Sequence, residues 1–428
     1  MAKFVVEGGV ALQGTIEPAG NKNEALPVLA ASLLTRQPVT FQNVPGIGDV
    51  ESLFELLRLS GATTDRTAPH QATIDASIIE RTELPIDLCR KIRGSILLLA
   101  PILSRCGRVR LPFPGGDRIG RRRIDTHLQG LHAMGAQVDY DSETYHVWCT
   151  DRLRGTDILL DEASVTATEN LVMAASLARG VTVLRNAASE PHVQQLCAFL
   201  NNLGAKISGV GSNVLTIEGV EELGGGEHTI AADYLEVGSF IGLAAVTGGE
   251  ILIKNAAPEY LRMALHQFSN LGIEVEIRGK DIFVPKDQPM EIKPDIHTSL
   301  IKIDDGPWPA FPADMMSIAV IISTQTKGTV MIFEKMFESR LFFTDRLIAM
   351  GANIILCDPH RAVVVGPTPL RGQNMSSPDI RAGMALLMAA LCAEGTSEIQ
   401  NIEQIDRGYE RLDERLTSLG AKIKRVEN

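Results

Sequence analysis

Four stretches of this chain carry residue types whose spacing could do chemistry on an anion. Residues 111–127, LPFPGGDRIGRRRIDTH, form a Pro- and Gly-rich loop in which Arg118, Arg121, Arg122 and Arg123 share positions 117–123 with a single acid, Asp117. In a chain of formal charge −11 such a cluster reads as an anion site. Its glycines suggest a loop that moves, as lids over reactive sites do; a solvated basic loop is the alternative. Asn21, Lys22 and Asn23 form a polar knot directly before an apolar helix, where a lysine beside free backbone N–H groups can cradle a phosphate. An ordinary Asn N-cap with a solvent-facing lysine explains the same residues. Asp314 follows three prolines in PWPAFPADMM and precedes another apolar helix, which also suits a plain N-cap. Arg407, in IDRGYERLDERL, sits at the turn before the last helix, where an ion pair with Asp406 or Glu410 is the ordinary reading.

Several other chemistries are excluded. The sequence has no nucleophile elbow, Walker loop, HExxH helix or EF-hand loop. GVGSNV at 209–214 lacks the third glycine of a dinucleotide fingerprint and lies between two strand-like runs, which predicts a hairpin. The six cysteines contain no C-x-x-C pair, so zinc clips and redox motifs are not expected; they read as small buried hydrophobes in a reducing compartment. An excess of 52 acidic over 41 basic residues argues against non-specific nucleic-acid or membrane-surface binding, and 5% aromatic content argues against a base-stacking platform. With no apolar run near 20 residues and no signal-peptide pattern, a cytoplasmic location is expected.

The elements that must position these residues repeat. A helix end followed by small-Gly-Ala and a strand recurs as RLSGATT, HAMGAQV, NNLGAKI, SNLGIEV, IAMGANI and TSLGAKI, at intervals of roughly 70 residues. The glycines, Gly61, Gly135, Gly204, Gly272, Gly351 and Gly420, read as left-handed C′ residues. An alternating strand such as PVTFQNVP or GEILIKNAA precedes each outer helix. Six units in 428 residues predict two lobes of three units each. The cleft between two such lobes is the expected ligand site.

AGNKNEALP, PFPGGDRIGRRRIDTH, SVTATENLVMAASLA, EPHV, PAFPADM, FESR, DIRAGMAL and IDRGYERL follow one another in an order that resembles the enolpyruvyl transferases, from Lys3 to the C-terminus. The resemblance is strongest to the UDP-sugar branch, which opens the cytoplasmic route to bacterial peptidoglycan. It implies an inside-out α/β barrel in each lobe, built of three βαβαββ repeats, with one lobe of 22–230 carrying the mobile loop 111–127 and the other of 1–21 plus 231–428. It also implies transfer of the enolpyruvyl group of phosphoenolpyruvate to the 3′-hydroxyl of UDP-N-acetylglucosamine, without metal or organic cofactor, through a tetrahedral adduct that expels phosphate. By that likeness Lys22, Asn23, Arg122 and Arg407 bind phosphoenolpyruvate, Asn23 and Arg122 also meet the nucleotide sugar, and Arg93 lies close to both substrates. Asp314 is the candidate base for the hydroxyl. Asp379 and Arg381 form a second charged pair, the latter on phosphoenolpyruvate. Met336 meets the sugar through its backbone. Arg123, Ile124, Asp125, Ser164, Val165 and Thr166 fall on the uridine and diphosphate pockets.

Three positions depart from the family's usual pattern. Asp117 stands where most members place a reactive loop cysteine, although some carry Asp, so activity with insensitivity to the epoxide fosfomycin is expected. Glu162 replaces a frequent Lys on the diphosphate side, and Tyr234 a frequent Arg. Two other functions compete: an enolpyruvyl transferase for shikimate 3-phosphate or a nucleoside, and a silent nucleotide-sugar-binding paralogue. Retention of Lys22, Arg122, Asp314, Asp379, Arg381 and Arg407 together argues against silence.

Overall fold

All six small-Gly-Ala phrases end a helix in the same way. In the computed structural model, which describes residues 2–117, 119–294, 296–297 and 300–427, each of the six glycines has a φ between 78° and 109°. The residue after each glycine donates its N–H to a carbonyl five residues back, from Ala62 to Leu57 through Ala421 to Leu416, at 2.9–3.1 Å. That bond is the signature of a Schellman cap. The residue making it is buried each time, which explains why it is Ala or Ile. The repeated phrase is therefore a helix stop that tucks one small apolar side chain into the core.

Between these stops the chain builds six small sheets among the described residues. Five share one order, in which a parallel pair is followed by two antiparallel neighbours. An example is Ile301–Asp304, parallel to Gly328–Phe333, which pairs antiparallel with Arg361–Gly366 and then Asn353–Asp358. The sixth sheet, Arg108–Pro112, Thr144–Trp148 and Gln137–Tyr140, has three strands. A lone parallel bridge, Glu83 to Arg110, stands where its fourth would be. Lys206–Ser208 and Val214–Glu218 form the antiparallel pair expected around the 209–214 turn.

The described residues divide into two compact units, 1–19 with 117–121 and 232–428, and 20–116 with 122–231. Residues 117–121 thus group away from the rest of the 111–127 loop, contrary to the expectation that the whole loop belongs to the lobe of 22–230. The cause is local bonding: Ser339 donates its N–H to the Ile119 carbonyl at 3.0 Å, and Arg121 its N–H to Glu338 Oε2 at 3.1 Å.

Each unit has its own hydrophobic core and three sheets. In the first unit the core is organised on helices Tyr234–Thr247, Met316–Gln325 and Ile380–Cys392, which pack on one another. In the second, Lys22–Ala31, Leu99–Cys106 and Val165–Ser176 take the same role. These helices are buried nearly all round, polar residues such as Thr168, Glu169 and Asn170 included. Gly242 lets three of them close up, since a Cβ there would lie 3.0 Å from Ile318, Ile322 and Met388. The cysteines correct one expectation: Cys89 and Cys197 are buried, but Cys357 is exposed on a strand edge and three others are half-buried. No described helix is long and apolar enough to cross a membrane.

Candidate active site

The starts of these six central helices carry most of the residues singled out in the sequence. Asn21 caps Lys22–Ala31, its Oδ1 accepting from the N–H groups of Asn23 at 2.8 Å and Glu24 at 3.3 Å. Those donors are consequently occupied by the cap. Lys22 is no solvent lysine either: it is 8% exposed and its Nζ lies 2.7 Å from Asp49 Oδ2, itself buried. Asp49, 27 positions along at the start of helix Gly48–Leu59, carries no motif and escapes sequence reasoning.

Arg93 opens a 3₁₀ run, Arg93–Leu98, that leads into the second central helix. Its Nη2 donates to the carbonyls of Arg122 at 2.9 Å and Arg123 at 3.4 Å, tying the arginine loop to the helix start. Gly116 permits this approach, since a Cβ there would meet Arg93 Cβ at 2.8 Å and Arg122 Nη2 at 3.0 Å. Burial, then repulsion from Arg122, pulls the Arg93 guanidinium down to about 10. Arg118 lies outside the described residues.

Ser164 caps Val165–Ser176, accepting from the Ala167 N–H at 3.4 Å. Val165 and Thr166 follow on its first turn, and the Thr166 hydroxyl lies 3.1 Å from His127 Nε2. His127 is fully buried, and burial followed by the Arg93 charge pushes it down to about 3. Asn170 completes this neutral network, 3.1 Å from His127 Nδ1. Arg123 donates to Asp161 at 2.8 Å and to Asp125 at 3.3 Å, while buried Ile124 precedes the helix that begins at Asp125. Glu162 is exposed, and its backbone carbonyl accepts the Ser164 N–H.

The other unit repeats the device with acids. Asp233 caps the helix beginning at Tyr234, accepting from Leu235 at 2.9 Å. Burial raises Asp233 to about 6 despite the nearby Arg381 charge. Tyr234 turns into an aromatic group with Tyr260 and Trp308. Asp379 caps Ile380–Cys392, bonding the N–H groups of Arg381 and Ala382 at 2.9 Å, and burial raises it above the usual carboxylate range. Asp314 is not an N-cap. It lies within the turn Ala313–Met315, whose cap position is Pro312, so its carboxylate is left for other groups. Arg340 Nη2 donates to Asp314 Oδ1 at 2.8 Å, and Arg381 Nε lies 3.4 Å from Oδ2. Arg381 also lies over the Tyr409 ring, 5.5 Å from its centroid.

Arg407 does not take Asp406, one of the two acids expected for it. Its Nη1 donates to Asp117 Oδ1 at 2.5 Å and to Gln404 at 2.7 Å, while Asp406 pairs with Arg425. Met336 is more than a third exposed, and its N–H donates to Glu334 Oε1 at 3.1 Å. Arg340 and Glu334 are the functional candidates the sequence hid; the FESR phrase was the signal for the first.

The arrangement places cations at helix starts in one unit and interlocked carboxylates and guanidinium groups in the other. Such a set can bind a small polyanion and move a proton. The family model for EPSP synthase (3-phosphoshikimate 1-carboxyvinyltransferase) matches residues 6–416. The chain belongs to this family. It is 55% identical to the UDP-N-acetylglucosamine 1-carboxyvinyltransferase of Bradyrhizobium diazoefficiens, over 99% of this chain and 98% of that one. It is 51% identical to the protein of the same name from Treponema denticola, over the whole of both. Among solved structures, the enolpyruvyl transferase NikO from Streptomyces tendae superposes with a TM-score of 0.88 at 25% identity, covering 99% of each chain. EPSP synthase from Acinetobacter baumannii, at 16% identity and a TM-score of 0.75 over both full chains, shares the family's mixed α/β fold.

Proposed function

We propose that this chain is a UDP-N-acetylglucosamine 1-carboxyvinyltransferase, catalysing the first committed step of bacterial peptidoglycan synthesis in the cytoplasm. The observation that carries this is identity above 50% along the full length to proteins of that name. Lys22, Arg93, Arg122, Asp314, Asp379 and Arg381 all lie at or beside central helix starts, and Arg407 holds Asp117. The three sheets around three buried helices in each unit support reading each as an inside-out barrel of three repeats.

In this reading the site residues divide between the two substrates. Lys22, Arg122, Arg381 and Arg407 neutralise the phosphate and carboxylate of phosphoenolpyruvate through charge-assisted hydrogen bonds. Asn23, Arg93, Arg123, Ile124, Asp125, Ser164, Val165, Thr166 and the Met336 backbone hold the nucleotide sugar. Asp314 takes the proton of the 3′-hydroxyl as its oxygen bonds to C2 of phosphoenolpyruvate, and Asp117 delivers a proton to C3. The Asp117 carboxylate then takes a proton back from C3 as the C2–O bond breaks and phosphate leaves, which restores the methylene. Asp117 begins on Arg407, so an arriving anion competes for that guanidinium, and the freed carboxylate takes up a solvent proton before delivering it to C3. A carboxylate attacks epoxides poorly compared with a thiolate, so the enzyme is insensitive to fosfomycin.

Phosphate release from phosphoenolpyruvate, measured with UDP-N-acetylglucosamine, shikimate 3-phosphate or UMP as acceptor, tests the assignment. Turnover is expected with the first alone; turnover only with another acceptor overturns it.

A further inference from the structure

Behind Asp314 lies a second acidic pair that the mechanism does not use. Parallel pairing sets Asp304 opposite Phe333, so the next residues along the two strands are Asp305 and Glu334. Both are 1% exposed or less. One oxygen of each carboxyl is taken by backbone: Lys335 donates its N–H to Asp305 Oδ1 at 2.5 Å, and Met336 and Phe337 donate theirs to Glu334 Oε1 at 3.1 and 3.0 Å. The other two oxygens, Asp305 Oδ2 and Glu334 Oε2, are buried with no hydrogen-bond partner among the described residues. Arg340 Nε is likewise unpartnered, 3.6 Å from Glu334 Oε2 and beyond hydrogen-bond reach. The same guanidinium, over the Phe337 ring, reaches Asp314 through Nη2.

We propose that Glu334 and Asp305 share a single proton and thereby position Arg340, and through it the Asp314 carboxylate; this rests on the reading of Asp314 as the base. Two ionised carboxylates supply only acceptors, so neither can satisfy the other's bare oxygen. One carboxyl proton supplies the missing donor and removes a charge that the interior would otherwise have to hold. Consistently, burial and then the hydrogen bond to Asp305 raise Glu334 to about 9. With Glu334 neutral, the Arg340 charge is directed at Asp314. Once Glu334 ionises, it competes for Arg340, and closing the 3.6 Å gap draws the guanidinium off Asp314.

The remaining charged and titratable neighbours do not supply the proton. Lys335 directs its amine to Asp304. The His360 carbonyl accepts the Glu334 N–H, and its ring Nδ1 lies 2.7 Å from the Glu334 carbonyl rather than the carboxyl. Asp314, Asp379 and Arg381 face Arg340. Glu334 and Asp305 are positioning residues, with no contact to substrate required.

The test is the pH dependence of phosphate release by full-length Glu334→Gln and Glu334→Leu proteins. Glu334→Gln keeps a neutral donor, so its kcat at pH 7 is expected within about threefold of the parent. Above about pH 9, where the parent falls as Glu334 ionises, the Gln variant is expected to stay level. Glu334→Leu is expected to lose roughly tenfold or more in kcat, with the KM for phosphoenolpyruvate little changed. A tenfold loss in Glu334→Gln at pH 7, or an alkaline limb coincident with the parent's, overturns the proposal, and the Gln result decides even if the Leu variant fails to fold. Asp314→Asn turning over at the parental rate is a separate failure, that of the base assignment itself.

Discussion

The two units use the same backbone device with opposite charge. In each, two of three central helices begin at a side-chain cap and the middle one begins in an uncapped 3₁₀ turn. In the unit of 20–116 and 122–231 the caps are neutral, Asn21 and Ser164, and the middle turn presents Arg93. In the other the caps are Asp233 and Asp379, and the middle turn presents Asp314. A neutral cap leaves the partial positive charge of the helix start available to an anion, whereas a carboxylate cap cancels it. One unit accordingly presents uncancelled positive helix starts, and the other presents carboxylates beside buried arginines.

Removing cations should hurt the two units differently. Arg407→Ala should lose at least about tenfold in activity while staying folded, because a charge-assisted contact contributes roughly 1.5–3 kcal/mol. Lys22→Ala should lose a similar amount of activity and also some stability, because it removes the 2.7 Å ion pair with buried Asp49. Thermal melts beside phosphate-release assays separate these effects. A Lys22→Ala protein as stable as Arg407→Ala would show that Asp49 is not held by Lys22.

Asp117 probes the acid side. Asp117→Cys should remain active and gain time-dependent inactivation by fosfomycin, and Asp117→Ala should be severely impaired. Inactivation of the unmodified protein at a comparable rate would remove Asp117 from the thiol's place.

Acid should loosen the cation-bearing unit at His127. Its folded pKa is depressed from 6.5 to about 3, so the unfolded chain binds the extra proton throughout that window. The associated stability is fully present above pH 6.5 and is lost progressively as pH falls toward 3, by up to about 1.4 kcal/mol per pH unit. Hydrogen exchange in helix Val165–Ser176 should quicken across that range, and His127→Gln should flatten the dependence.

Smallest is the cost at a helix stop. Gly204 has a φ of 103° with nothing within 4 Å of an added Cβ, so Gly204→Ala meets only backbone strain. A loss of about 1–2 kcal/mol, read as a few degrees in melting temperature, is expected with activity unchanged.

These outcomes also mark how far the sequence could be read. The six glycine stops were legible because a Schellman cap is a local device, and helix, glycine and buried alanine are adjacent in the chain. Lys22, Arg122 and Arg407 were legible as charges in unusual surroundings. Their partners were not. Asp49 meets Lys22, and Asp117 meets Arg407, only through the fold. Asp305 and Glu334 come together by strand register, and neither has a neighbour in sequence that reveals it. Asp314 read equally well as a cap until the turn at Pro312 took that position.

The division of labour between binding and proton transfer is tested most directly by Asp314→Asn, measured two ways on one preparation. Calorimetric titration should give UDP-N-acetylglucosamine affinity close to the parent's, while kcat for phosphate release falls by about 10²–10⁴, the usual share of a general base. Parental turnover with lost affinity would contradict the account, since Asp314 would then hold the sugar rather than take its proton.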